Sequence, residues 1–375
     1  YVEPGDPDSR IPEDTEIVNV LGILRGETDP DRYVIMSGDI DSRVSDPLDA
    51  TSDAPGANDN ASGMAGTIEA ARVLSAHRFD ATLVLAGLSG EEQGLYGGRH
   101  MAELAREEGW NIEAVLNNDM IGNIEGIDGV IENNTFRVFS EPTPVTETEQ
   151  ERARRRFTGG EVDGPSRQLA RYVARITDLY FKNLEAIMIY RLDRFGRGGH
   201  HRPFNDLGFP GVRIMETHEH YVRQHQDLRV EDGIRYGDVI EGVDFDYARR
   251  LTGVNVATLA ALAWAPDRPR AVSIAGAVRP DTTLRWLHAP DSELAGYKLY
   301  WRETTAPQWT DWRWVGEGAP CSVATPAGDA CREHTLEGLV IDNYLFGVAA
   351  VGPDGNESPV AFPNFDPRVT PQRRR

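Results

Sequence analysis

The stretch that most constrains this chain is Leu85-Ala-Gly-Leu-Ser-Gly-Glu91-Glu92-Gln-Gly-Leu-Tyr-Gly-Gly98. The apolar run from Thr82 to Leu88 reads as a buried strand. It breaks at Ser-Gly, and two carboxylates follow at its carboxyl end, where open α/β sheets bind their ligands. Neighbouring side chains there point in different directions, so one carboxylate can hold a cation while the other moves a proton. The plainer alternative is two solvated acids opening a helix at its positive end.

The surrounding pattern favours an α/β sheet. Glu16 to Leu24 and Tyr33 to Ser37 read as strands, Asn60 to Ala76 as a helix, Leu95 to Glu108 as another, and Glu113 to Asn118 as a strand. Ser166 to Leu184 is helical by periodicity, Ala186 to Tyr190 and Val212 to Met215 are strands, and Phe245 to Trp264 is a last helix. Short apolar strands alternating with helices predict an α/β domain with a mixed, mostly parallel sheet sandwiched by helices over 16–264. Residues 1–15 form a polar arm, and 141–165 read as a charged surface excursion.

After the linker Ala265-Pro-Asp-Arg-Pro-Arg270 the character changes. Leu284 to Leu287, Gly296 to Trp301, Trp312 to Val315 and Asn343 to Val351 are short strand-like segments separated by turns. They predict a C-terminal β-sandwich over 271–365, which resembles a fibronectin type III module, with a tail at 366–375. Cys321 and Cys331 either close a small disulfide loop, which implies an oxidising compartment, or stand as free thiols.

The net charge of −21 leaves no basic stripe and excludes nucleic acid as a partner. No apolar run approaches the ~20 residues that a membrane span needs.

Acids recur at the ends of the expected strands. One strand ends in Gly38-Asp39-Ile-Asp41-Ser42. Pro55-Gly-Ala-Asn-Asp59-Asn-Ala-Ser-Gly63 is a glycine-rich turn into a helix. Asp119 follows a strand in Asn117-Asn-Asp-Met-Ile-Gly122, and His225 lies in the loop Tyr221-Val-Arg-Gln-His225. So many like charges at one sheet edge call for a compensating cation. Carboxylates with an imidazole suit zinc or another divalent ion.

In their order and spacing these motifs resemble those of the co-catalytic zinc aminopeptidase family, which includes bacterial leucine-type aminopeptidases and glutamate carboxypeptidase II. The resemblance covers residues 16–264. It implies a metal-dependent exopeptidase acting on peptides, with two zinc ions expected. Asp59 is similar to the carboxylate that bridges them. Glu92 and His225 complete one site, and Asp39 and Asp119 belong to the other. Glu91 resembles the general base, which takes a proton from the activated water and hands it to the leaving amine. Asp41 resembles the acid that orients the ligand two residues before it, and Tyr221 is a candidate donor to the oxyanion.

Two positions depart from the family pattern. Position 39 is aspartate where the family has histidine, which makes the second metal site atypical. His200-His201 stands where the family has Asp-His. His200 is therefore expected to approach the second metal or to pair with Asp39. Arg191, Arg194 and Arg197 are candidates for binding a substrate carboxylate, Arg194 foremost. Two other readings stay open: a single-zinc enzyme of glutaminyl-cyclase type built on Asp59, Glu92 and His225, and a degenerate peptidase acting as a binding module. The implied location is secreted or periplasmic.

Overall fold

A computed structural model of the chain describes residues 1–158, 160, 163–289, 294–321 and 328–363. The tail expected at 366–375 lies outside the described residues. The chain divides into two compact units: Tyr1–Glu141 with Val173–Ala263, and Pro142–Tyr172 with Trp264–Arg375.

The first unit is built on seven strands: β1 Val20–Leu24, β2 Asp29–Asp39, β3 Ala81–Leu88, β4 Asn111–Asn118, β5 Thr135–Ser140, β6 Glu185–Ile189 and β7 Gly211–Glu216. Their order across the sheet is β1-β3-β2-β4-β7-β5-β6. β2, β3, β4 and β7 run parallel to one another, β5 runs antiparallel to β7, and β1 runs antiparallel to β3. Every residue of β3 is buried, as a central parallel strand covered on both faces requires. Its side chains Val84, Ala86 and Leu88 pack with Ile35, Val115, Met101, Ala102 and Phe204. The helices are α1 Ala61–Leu74, the single turn α2 Glu91–Gly94, α3 Tyr96–Glu107, α4 Pro165–Tyr180, α5 His201–Asp206 and α6 Phe245–Trp264.

Two details of this framework place the acids. Asn60 caps α1 by accepting from Gly63 N, and its amide also donates to Asn118 O at 2.8 Å. One side chain thus ties the α1 N-terminus to the end of β4. Gly38, one residue before Asp39, lies so close to α1 that a Cβ there would stand 2.7 Å from the Gly63 carbonyl carbon. The sheet edge and the helix mouth meet backbone to backbone.

The second unit carries two antiparallel sheets. One comprises β8 Arg270–Ala275, β9 Thr282–His288, β12 Ala319–Pro320 and β13 Ala330–Leu336, in the order β8-β9-β13-β12. The other comprises β10 Gly296–Glu303, β11 Asp311–Gly316 and β14 Tyr344–Val351, in the order β11-β10-β14. Trp286, Tyr297, Leu299, Phe346 and Val348 form its core. Cys321 and Cys331 are bridged, which settles the alternative left open by their spacing.

The sequence reading missed several elements, among them β8 and β13 of the second unit, and two omissions bear on the framework. β5 falls in a stretch given no element, although Phe136 and Val138 alternate with Arg137 at strand period and are fully buried. The segment 141–165 is more than a surface excursion. It forms the helix Glu149–Thr158, and Asp163 within it is buried between Arg171 at 2.6 Å and Arg302 at 2.8 Å. Polar composition hid a buried ion-pair network that depends on residues far along the chain.

Gly38→Ala forces the α1 backbone away from β2 and is expected to lower stability by about 1–3 kcal/mol. An unchanged denaturant midpoint would contradict the close approach described here.

Candidate metal centre

Three side chains converge at the carboxyl ends of the parallel strands. Asp59 comes from the turn before α1, Glu92 from α2 and His225 from the loop after β7. His225 Nε2 lies 3.0 Å from Asp59 Oδ2 and 2.9 Å from Glu92 Oε1. One donor atom from each lies within 4.8 Å of the other two, and among the described residues no other group of three such side chains does so. One imidazole nitrogen and two carboxylate oxygens are a donor set that zinc accepts, leaving a position free for water or substrate. The residues fit the ion.

The surroundings hold these donors in place. Gln224 Nε2 donates to Asp59 Oδ2 at 3.2 Å. Asp238 accepts from the amides of Asn58 and Asp59 and so fixes the turn. His225 adopts a left-handed φ of 54°, a conformation uncommon for a residue with a side chain and frequent at binding sites. Burial opposes charge on Asp59, but the hydrogen bond and charge of His225 hold its carboxyl below the usual range. Burial likewise lowers the His225 pKa, and the two carboxylates then raise it to about 9.

Arg43 contacts both His225 and Glu92, with Nη2 2.7 Å from His225 Nδ1 and Nε 2.9 Å from Glu92 Oε2. A guanidinium only donates, so this geometry requires a lone pair on Nδ1 and places the imidazole proton on Nε2. That assignment disagrees with a fully charged ring, and the short directed contact is the stronger constraint.

Asp39 and Asp119 do not join this group. Asp39 is buried, accepts from Asn60 Nδ2 at 2.5 Å and lies 3.1 Å from His200 Nδ1. Burial pushes the His200 imidazolium pKa down to about 3, so this is a neutral hydrogen bond and not an ion pair. Burial, with the charges of Asp119 and Asp41, raises the Asp39 carboxyl well above its usual range. Asp119 Oδ2 is 2.6 Å from Arg213 Nη2. Burial raises the Asp119 pKa to about 7 against the pull of that guanidinium. Of the two expectations for His200, pairing with Asp39 describes its position.

Glu91 lines a cavity of about 690 Å³ together with Asp59, Glu92, Asp119 and His225. Burial, then the charges of Asp119, Asp39 and Glu92, raises its carboxyl well above the usual range, which suits a group that must accept and return a proton. Asp41 does not orient residue 39. Its carboxylate accepts from the amides of Glu91 at 3.2 Å and Glu92 at 3.0 Å, so it caps α2 and sets the direction of both glutamates. Tyr221 is 55% exposed and does not line the cavity. Arg194 does line it, but its charge is engaged by Glu219 at 2.8 Å and Asp193 at 3.4 Å.

Sequence reasoning missed Arg43, Asp193, Arg213 and Asp238. Only Arg213 left a signal: it is the one charge inside the apolar run Gly211-Val-Arg-Ile-Met215. The other three act through loops whose packing no periodicity reports.

The model of peptidase family M28 matches residues 19–231. A probable zinc metalloprotease of Leptosphaeria maculans is 43% identical over 97% of this chain and 81% of its own length. One from Pyrenophora tritici-repentis is 41% identical over 95% of this chain and 71% of its own. Among solved structures, LapA of Legionella pneumophila aligns with 68% of this chain at 19% identity and a TM-score of 0.47, and this chain spans 57% of that protein. A glutaminyl cyclase of Macrostomum lignano aligns at 13% identity over 69% of this chain and 74% of its own, with a TM-score of 0.48. These two structural likenesses bear on neither activity nor substrate.

His225→Ala removes one of the three converging donors. Zinc affinity, read by equilibrium dialysis, is expected to fall by more than the ~10–100-fold that loss of a supporting group costs. Unchanged affinity would place the metal elsewhere.

Proposed function

The chain belongs to peptidase family M28, and from that premise we propose that this zinc metalloprotease relative is an aminopeptidase, which removes N-terminal residues from peptides. The observation that carries the reading is Glu91, placed beside the Asp59–Glu92–His225 group at the wall of one cavity.

Asp59, Glu92 and His225 would hold the zinc ion. When bound, the ion supplies Lewis acidity, which polarises a peptide carbonyl and makes a water more acidic. Glu91 accepts the proton of the attacking water and returns it to the departing amine, and its raised pKa matches it to both halves of that cycle. Asp41 accepts from the backbone amides of Glu91 and Glu92 and so fixes the turn from which both side chains depart. The negative groups beside the triad, including an Asp119 Oδ1 that has no hydrogen-bond partner, favour a substrate ammonium and thus a free N-terminus.

The rest of the cavity lining supports a second element of the reading. Arg10, Arg99, Arg197 and Arg202 line the same cavity and have no ion-pair partner among the described residues, against two further acids, Glu103 and Asp206. In a chain of net charge −21, a cavity lined by as many arginines as acids suits a carboxylate on the substrate beyond the scissile bond. Short peptides with a free C-terminus, or an acidic residue following the scissile bond, are the substrates this cavity favours.

The convergence of a single metal group also favours a one-zinc reading, in which a Gln-initiated peptide cyclises with loss of ammonia instead of losing its first residue. A peptide panel assayed by mass spectrometry on the zinc-loaded protein separates these outcomes. Release of the N-terminal residue is expected from free-amine peptides, faster with a C-terminal carboxylate than with a C-terminal amide, and absent after N-acetylation. Internal cleavage, or equal turnover of acetylated peptides, would overturn the aminopeptidase reading. Glu91→Gln is expected to lower kcat by ~10²–10⁴-fold with zinc content unchanged; near-normal kcat would remove Glu91 from the chemistry.

A further inference from the structure

Arg213 is wholly buried in β7, at the point where the register sets it opposite Asn117 of β4, two residues before Asp119. A charged side chain in a central parallel strand needs a reason, because burying it unpaired is prohibitive and even a paired one contributes little to stability. Its contacts supply that reason. Nη2 meets Asp119 Oδ2 at 2.6 Å. Nη1 lies 3.2 Å from both oxygens of Asp193 and donates to Gly198 O at 2.6 Å. Asp193 is held in turn by the backbone amide of Arg194 at 2.6 Å, with His201 Nε2 3.5 Å away. The guanidinium is therefore fixed on several sides and aimed at the active-site edge.

Three of the four carboxylate oxygens that a second metal ion would need are already engaged by the protein, while among the described residues Asp119 Oδ1 and His200 Nε2 have no hydrogen-bond partner. Both oxygens of Asp39 are engaged, one by Asn60 and the other by His200. Asp119 faces Arg213. Among the described residues neither joins a group of three donors. A dication beside Asp119 would also sit against an immobile positive charge. The donor set fits one ion and does not fit a second.

We propose that the metal centre is mononuclear, and that the Arg213 guanidinium is a built-in cation standing where a second metal ion would otherwise neutralise Asp119 and its neighbours. Arg213 is a positioning residue: it touches neither the zinc ligands nor substrate, and it acts by anchoring the Asp119 carboxylate beside Glu91. His200 and Asn60 do the same for Asp39. This inference rests on the metallopeptidase reading above and specifies its stoichiometry.

Metal content tests it independently of turnover. The full chain, stripped with chelator, is equilibrated with excess zinc, dialysed and measured by elemental mass spectrometry. One equivalent per chain is expected. Two equivalents would overturn the proposal while leaving the peptidase reading intact. None would overturn both.

Asp119→Asn discriminates further, since it removes a charge but leaves a similar shape. If Asp119 serves Arg213 and not a metal, this variant retains one zinc with affinity within about three-fold of the parent. Loss of zinc from it would make Asp119 a ligand and sink the proposal. Cobalt gives a spectroscopic signature: the cobalt-loaded parent shows the magnetic resonance of an isolated ion at any cobalt excess. A spin-coupled pair, as two ions ~3.5–4 Å apart would give, is the contrary result.

Discussion

The mutual repulsion of carboxylates governs the architecture of this site. Asp39, Asp41, Asp59, Glu91, Glu92 and Asp119 all reach one edge of one sheet, and burial strengthens every repulsion among them. The molecule answers with different devices at different positions. Around Asp59 and Glu92 it places the imidazole of His225, itself a donor able to hold a metal, and the guanidinium of Arg43. Around Asp119 it places a guanidinium locked by Asp193 and Gly198. At Asp39 it uses neutral donors, Asn60 and His200. Asp41 is satisfied by the first two amides of α2. One part of the cluster is thus left ready for an exchangeable cation, and the remainder is neutralised by groups that cannot leave.

That division shapes the chemistry available. The general base proposed for this site must keep a raised affinity for its proton, and burial, with the charges of neighbouring acids, raises the carboxyl of Glu91 well above the usual range. Burial raises the Asp119 pKa to about 7 despite the adjacent Arg213.

The scaffold makes such a cluster tolerable by tying its strand ends and helix mouth together through one amide side chain. Asn60 bridges α1, β4 and Asp39 through its amide and carbonyl. Buried polar networks of this kind specify a single arrangement when satisfied and are costly when they are not. The tight approach of Gly38 to Gly63 keeps the network short, because any side chain at that contact would separate the strand end from the helix mouth.

Much of the fold could be read from the chain. Strand β3, the α1 turn and the strand that delivers Asp119 follow from apolar runs, a glycine-rich turn and an N-cap, all local signals. The triad Asp59, Glu92 and His225 was legible as residue types at strand ends, and the acid-to-histidine exchange at positions 39 and 200 was visible as a pair of anomalies. β5 and the helix Glu149–Thr158 escaped because their alternation was short or polar. What no local pattern could show is which partner each charge takes. Arg43, Arg213, Asp193 and Asp238 lie from 20 to 182 positions from the side chains and amides they serve across the fold, and their pairing depends on loop closure and strand register. The sequence by itself determined that acids would crowd one sheet edge, because strand ends and turn residues are encoded locally. Only the tertiary structure decided which of them face a replaceable cation and which a fixed one, because Coulomb interactions depend on distances that exist only after the chain has closed.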